Sequence, residues 1–361
     1  MTRSQHHGRP QRRRPVQVAV AIALLATLWI GWSELYPGDE RALRELVHDR
    51  LDDWFPAVMA PLADGHGLAR RRQPDLSHGE LTDAPRRRER NLRVLLIHGL
   101  DEPGIIWDDL APVLTETGFD VWELRYPNDQ GLDRSAAYLA AHWSALPDDR
   151  PVVLIGHSMG GLIAREFVTR WRHPVEEPAQ VGGAPVAGVI MAGTPNHGSD
   201  WVRLRIWLEL REHFEDARQL RFSLFAGLRD GLGEAKVDLR PDSEFLQALN
   251  ARPWPASVQR LIIGARLVDA PEWLSAGLDA AADEVGSEPL RRSLHAWFDQ
   301  LGDRLGDGAV SIDSLTLDDA PEPIIVNALH RTMLRRLNAD DPEPPAIPLI
   351  VEQMLAWSET R

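Results

Sequence analysis

The chemistry in this chain concentrates at Gly156-His157-Ser158-Met159-Gly160-Gly161. A serine between glycines at this spacing fits a strand that turns sharply into a helix, lifting the hydroxyl above a sheet. The flanking sequence supplies both elements. Val152-Val153-Leu154-Ile155 is a buried-strand run, and Met159 to about Trp171 has helical spacing. Gly156 and Gly160 leave room for backbones that pack against the turn. The helix N-terminus adds free N–H groups and a partial positive charge, which suit a developing oxyanion. A plain glycine-rich turn is the bland alternative; the strand before, the helix after and Gly161 count against it.

A serine hydroxyl needs a base, and the base needs a carboxylate to hold it. At a strand–turn–helix nucleophile the chain order is serine, acid, histidine. After Ser158 come His173, His197, His213, His295 and His330. His173 ends the nucleophile helix, His213 and His295 lie inside amphipathic stretches, and His197 follows a strand in a loop near the site. His330 alone comes directly after the last strand, at a carboxyl end where catalytic loops collect, and is read as the base. The acid candidates are Asp269, Asp303, Asp307, Asp313, Asp318 and Asp319. Asp307 sits in Gly306-Asp307-Gly308-Ala309-Val310, a tight loop able to aim one carboxylate at an imidazole; a solvated turn aspartate is the competing reading.

The elements that must position these groups alternate. Strand runs are expected at Arg93–Ile97, Val121–Tyr126, Val152–Gly156, Pro185–Ala192, Val258–Gly264 and Pro323–Ala328. Helical spacing covers Ile106–Thr117, Ser135–Leu146, the stretch after Ser158 and a terminal segment near Ile350–Trp357. Such alternation implies an α/β architecture, a mostly parallel sheet covered by helices on both faces. No internal repeat and no dinucleotide-binding glycine fingerprint competes with it.

Together, His98-Gly99-Leu100, the Ser158 motif, Gly193-Thr194-Pro195-Asn196-His197-Gly198-Ser199, Asp242-Ser243-Glu244-Phe245-Leu246 with Leu249-Asn250, and the Asp307 loop resemble the α/β-hydrolases. Within them the chain is similar to the triacylglycerol lipase and esterase group, bacterial lipases and GPI inositol-deacylase-like proteins, over about residues 93–357. The resemblance implies Ser158 as nucleophile, Asp307 as acid and His330 as base. It also implies an oxyanion hole from the backbone N–H groups of Leu100 and Met159, with Gly156, His157 and Gly160 forming the nucleophile elbow. No cofactor is implied, and the calcium ligands of the secreted lipases are not identifiable here, so no metal is assigned. The same triad serves an acyltransferase, and a non-catalytic hydrolase-fold binding module is the alternative from another class.

The chain has 361 residues, 43% hydrophobic and 26% charged, enough for a large core. Its net charge of −14 argues against a general nucleic-acid binder. Without cysteine there is no disulfide scaffold, thiolate zinc site or cysteine nucleophile. The basic residues 1–14 hold five arginines and no acid, and read as cytoplasmic. They precede a largely apolar run from Val16 to Trp32. At ~1.5 Å per residue that run is roughly 25 Å long, near the lower limit for a ~30 Å hydrocarbon layer. Residues 15–33 are therefore expected to be a single-pass anchor, since the run exceeds the h-region of a cleaved signal peptide. The charge asymmetry places everything downstream outside the cytoplasm.

Residues 34–92 read as a stalk, a helix over Asp39–Ala63 and then a linker. Its arginine runs, Arg70–Arg72 and Arg86–Arg88, are either solvated or in contact with anionic headgroups. The hydrolase domain is expected over 93–361, with a lid insertion at 199–251. Within that insertion Trp201, Leu204, Trp207, Phe214, Phe222 and Phe225 give wide apolar faces. They read either as a permanent cap or as a lid that opens at a lipid surface. The substrate class expected is a lipid or other acyl ester.

Overall fold

Six apolar runs pair as the sequence anticipates, and a seventh strand joins them at an edge. The computed structural model describes residues 28–29, 31–33, 35–54, 66–71, 90–100, 104–199, 233–266, 306–338 and 340–360. The first elements are α1 (Pro37–Trp54), β1 (Gly67–Arg70), β2 (Arg93–Ile97), α2 (Leu110–Glu116), β3 (Asp120–Arg125) and α3 (Leu132–His142). Then come β4 (Val152–His157), α4 (Met159–Glu166) and β5 (Val186–Ala192). After them are α5 (Glu234–Asp238), α6 (Glu244–Asn250), β6 (Gln259–Arg266), α7 (Ile312–Leu315), β7 (Ile324–Asn327) and α8 (Ala346–Glu359). The helix after Ser158 is longer than α4 alone: residues Phe167–Arg172 continue it as a π-helical turn.

The strands lie in the order β1-β3-β2-β4-β5-β6-β7, all parallel except β1, which runs antiparallel to β3. Strands buried on both faces need apolar residues at every position, and β4 and β5 are buried throughout. Alternate residues serve opposite cores. Leu95, Ile97, Leu154 and Met191 pack with Leu139 of α3 and Ile163 of α4. Val94, Leu96, Val153 and Ile155 pack with Leu114 of α2 and Ile350 and Met354 of α8. Each such side chain stabilises the fold by about 1.5–3 kcal/mol. From β2 the chain steps to β3 on one side, then returns to β4 on the other. The loops after β2 and β4 therefore diverge, leaving a crevice at the carboxyl edge.

The segment read as a stalk contributes two elements to this body. β1 is an edge strand paired from Gly67↔Arg125 to Arg70↔Trp122. Two of the run's arginines face acids of the domain: Arg70 Nε lies 2.7 Å from Asp120, and Arg71 Nη1 lies 3.1 Å from Asp108. Helix α1 is docked rather than free, and by its polar face. Arg41 contacts Asp238 and Asp133, each at 2.6 Å. His48 Nδ1 lies 3.1 Å from Glu234. Arg240 Nη1 lies 3.0 Å from Glu40 and also donates to the Ser33 carbonyl at 3.1 Å. The apolar residues whose spacing marks the helix, Leu43, Leu46, Val47 and Trp54, face outward. The packed structure thus reaches back to Ser33, and residues 37–54 do not act as a spacer.

Burial raises the carboxyls of Glu40 and Glu234, but their partners outweigh it. The Ser33 hydroxyl with Arg44 and Arg240, and His48 with the Gly131 N–H and Arg134, hold both below their ordinary value. A carboxyl depressed in the folded state stabilises above the ordinary carboxylate range and loses that contribution as pH falls through its folded value. The contribution of Glu40 and Glu234 to α1 docking should therefore be lost below about pH 4.3, whereas Asp238, pushed up to about 6 by burial, acts in the opposite sense between its ordinary value and 6. Glu40→Gln, which leaves the buried Arg240 without its anion, should cost about 3–5 kcal/mol at neutral pH and flatten the acid slope. Thermal unfolding from pH 3 to 8 checks this; an unchanged slope in the variant contradicts it.

Most of the expected anchor, residues 15–33, lies outside the described residues. Among those described, no helix is long and apolar enough to cross a membrane. The expected lid is outside them over 200–232, but both ends of the insertion are placed. Ser199 N–H donates to the Leu239 carbonyl at 2.9 Å, which ties the outgoing end to the chain just after α5.

Candidate active site

β4 ends at His157 and α4 begins at Met159, so Ser158 alone makes the turn. Its backbone has φ 54° and ψ −126°, a conformation costing a non-glycine residue about 1–3 kcal/mol. The neighbouring glycines make the turn feasible by close approach. A Cβ on Gly160 would lie 2.0 Å from the Ile97 carbonyl oxygen, and one on Gly156 would lie 2.4 Å from the Gly161 nitrogen. The Ser158 N–H donates to the Ala192 carbonyl at 2.8 Å, tying the elbow to the end of β5.

The loop after β2 lies across the first turn of α4, at the contact that excludes a Cβ from Gly160. Tyr126 fixes it: its hydroxyl donates to the His98 carbonyl at 2.7 Å, and its ring stacks on His98 with centroids 4.6 Å apart. Leu100 follows, half-buried against the core. Its main chain and the Met159 amide at the start of α4 thus come from the two loops that bound the crevice.

Asp307 is 1% exposed and has both oxygens partnered. Oδ1 accepts the N–H groups of Ala309 at 2.9 Å and Val310 at 2.8 Å. Oδ2 lies 2.7 Å from His330 Nδ1. Gly306 at φ 55° and Gly308 at φ 89° allow the loop to close around the carboxylate. The His330 N–H donates to the Asp307 carbonyl at 3.0 Å, a second link between the same two residues. With Asp307 ionised, the shared proton sits on Nδ1, leaving the Nε2 lone pair as a base. Gly193 lies under the pair, where a Cβ would be 3.1 Å from His330 Cε1 and 3.3 Å from Asp307 Oδ2. Since Gly193 adjoins Ala192, which accepts from Ser158, the acid–base pair and the serine share one support.

All the residues predicted for the site, namely Ser158, Asp307, His330, Leu100, Met159, Gly156, His157 and Gly160, lie at the carboxyl edge of the sheet. Of the rejected histidines, one does other work, one is exposed and two lie outside the described residues. His173 Nε2 accepts the Val186 N–H at 3.0 Å, and burial with Arg172 nearby pushes it down to about 4, so it is neutral. His197 is exposed, and His213 and His295 are not among the described residues. Of the rejected acids, Asp319 is engaged by Arg260 at 2.8 Å. Among the described residues no group of three or more His, Asp or Glu could hold a metal ion.

Sequence reasoning missed the scaffolding residues. Arg165 on α4 donates to Asn196 Oδ1 at 2.9 Å and to Asn250 Oδ1 at 2.8 Å, and Asn196 Nδ2 donates to the Leu315 carbonyl at 2.7 Å. Burial, with Arg260 nearby, pushes the Arg165 guanidinium down to about 10, still charged at neutral pH. Asn196 and Asn250 belong to motifs the sequence displays; their role in holding the loop after β5 was not legible there.

The Staphylococcus hyicus lipase superposes with a TM-score of 0.50 at 13% identity, covering 77% of this chain and 99% of that one. A Bacillus licheniformis lipase in mature form gives a TM-score of 0.48 at 17% identity, covering 76% of this chain and 96% of that one. A metagenomic carboxyl esterase gives 0.48 at 18% identity, covering 88% and 90%. No curated protein matches the chain in sequence. The family model of the alpha/beta hydrolase family matches residues 94–356, from within β2 through β7 and into most of α8, and the chain belongs to that family.

Proposed function

We propose that the chain is a serine hydrolase that cleaves carboxylic esters through an acyl-enzyme on Ser158. The observation that carries this reading is the His330–Asp307 contact, 2.7 Å long and buried on the acid side, delivered to the edge of the sheet where Ser158 makes its strained turn. Ser158 Oγ attacks the ester carbonyl while His330 Nε2 takes its proton, and Asp307 stabilises the resulting imidazolium. The amides of Leu100 and Met159 receive the oxyanion. Collapse of the tetrahedral intermediate expels the alcohol, which takes the proton from His330. Water, deprotonated by His330, then attacks the acyl-enzyme and releases the acid, regenerating Ser158. No step calls for a cofactor.

The substrate class we propose is a lipid acyl ester, on the strength of the apolar insertion between β5 and β6 and the apolar N-terminal run. In the same reading residues 15–33 anchor the chain by a single pass, with the catalytic domain outside the cytoplasm. The insertion shields the acyl pocket as a lid. Membrane fractionation of a C-terminally tagged protein, with protease added to spheroplasts, checks the topology: digestion supports it and protection contradicts it.

Hydrolysis of p-nitrophenyl acyl esters by the full chain, with products resolved in the presence and absence of glycerol, tests the reaction class. Free acid as the dominant product in both conditions supports hydrolysis. Acyl glycerol formed at the expense of free acid replaces that reading by acyl transfer.

A further inference from the structure

We propose that His157, the residue preceding the nucleophile, is a positioning residue for His330 and acts through its main chain. The proposal rests on the triad reading above. His157 is wholly buried, and its Nε2 lies 2.9 Å from the His330 carbonyl oxygen. A carbonyl only accepts, so the proton of His157 is on Nε2 and is donated to His330. The two imidazoles pack with centroids 4.7 Å apart, and Trp107 meets the His157 ring edge-on at 6.5 Å and 87°. His157 therefore has one orientation, set by its packing and its hydrogen bond.

The consequence is mechanical. The His330 main chain is held at both ends, its N–H by the Asp307 carbonyl at 3.0 Å and its C=O by His157. Asp307 Oδ2 fixes the ring that hangs between them. The loop carrying the base is thereby registered on the strand that carries the nucleophile, through the residue next to Ser158. With this bond the His330 loop is fastened to β4 as well as to the acid loop. A base displaced by about 1 Å costs on the order of 100-fold in rate, because the reacting atoms no longer meet in line. His157 touches no substrate in this account; it sets where Nε2 of His330 stands relative to Ser158 Oγ.

Three substitutions separate this from a role in packing. His157→Gln places an amide N–H where the imidazole N–H stood; His157→Asn is polar but too short to reach the carbonyl; His157→Leu keeps the volume and removes the donor. On p-nitrophenyl esters the Asn and Leu variants should lose about 10- to 100-fold in kcat with KM unchanged, and Gln should restore most of the loss. Thermal midpoints measured alongside identify any variant that fails to fold, and the Gln–Asn pair remains decisive if Leu does. Equal losses in Gln and Asn, a change confined to KM, or wild-type kcat in Asn overturns the proposal. His330→Ala is assayed in parallel: if it retains activity the triad reading has failed, whereas an inactive His330→Ala with a fully active His157→Asn sinks the positioning role alone.

Discussion

Ser158→Ala should lower kcat on acyl esters by about 10⁶-fold, to the level left by binding and the oxyanion hole alone. The same position should show a trade between stability and activity. A non-glycine residue at φ 54° and ψ −126° stores strain, so Ser158→Gly should be equally inactive yet more stable by about 1–3 kcal/mol. Assay and thermal unfolding of the two variants side by side check both halves. An inactive Gly variant no more stable than the Ala variant would leave the elbow without its strain.

Asp307→Asn should cost about 10⁴-fold in kcat with little loss of stability. Oδ1 accepts two main-chain N–H groups, and an asparagine keeps an oxygen there to accept them. Its amide nitrogen then faces His330 Nδ1 and donates to it, forcing the ring proton onto Nε2. A base with its proton on the wrong nitrogen cannot accept one from Ser158. Asp307→Ala, by contrast, empties a fully buried site and orphans both N–H groups, so it should also lose about 1–3 kcal/mol per group. Equal activity in Asn and wild type would remove Asp307 from the mechanism.

The parallel strands were legible because burial on both faces demands unbroken apolar runs, and β4 and β5 carry them over their full length. That the candidate residues share one edge was legible because the elbow forces glycine at fixed positions and because the strand order sends the last loops to the same edge as Ser158. β1 was not, since a four-residue edge strand, Gly67–Arg70, holds too few residues to show alternation. Helix α1 was recognisable as a helix, but not as one docked on the domain. Spacing shows that apolar residues share a face; it does not show that the opposite face will find Asp238, Glu234 and Arg240, some two hundred residues away, as partners. The long-range hydrogen bonds of Tyr126, Arg165 and His157 were hidden for the same reason. Each joins residues whose separation in sequence carries no periodic signal.

In the proposed mechanism Ser158 is the nucleophile and His330 activates it. Fluorophosphonate labelling of the full-length protein, read by intact mass and peptide mapping, tests both together. One adduct per chain is expected, on the peptide containing Ser158, with labelling slowed in step with ester hydrolysis in His330→Ala. A stoichiometric adduct on another residue, or labelling of Ser158 at an unchanged rate in His330→Ala, would contradict it.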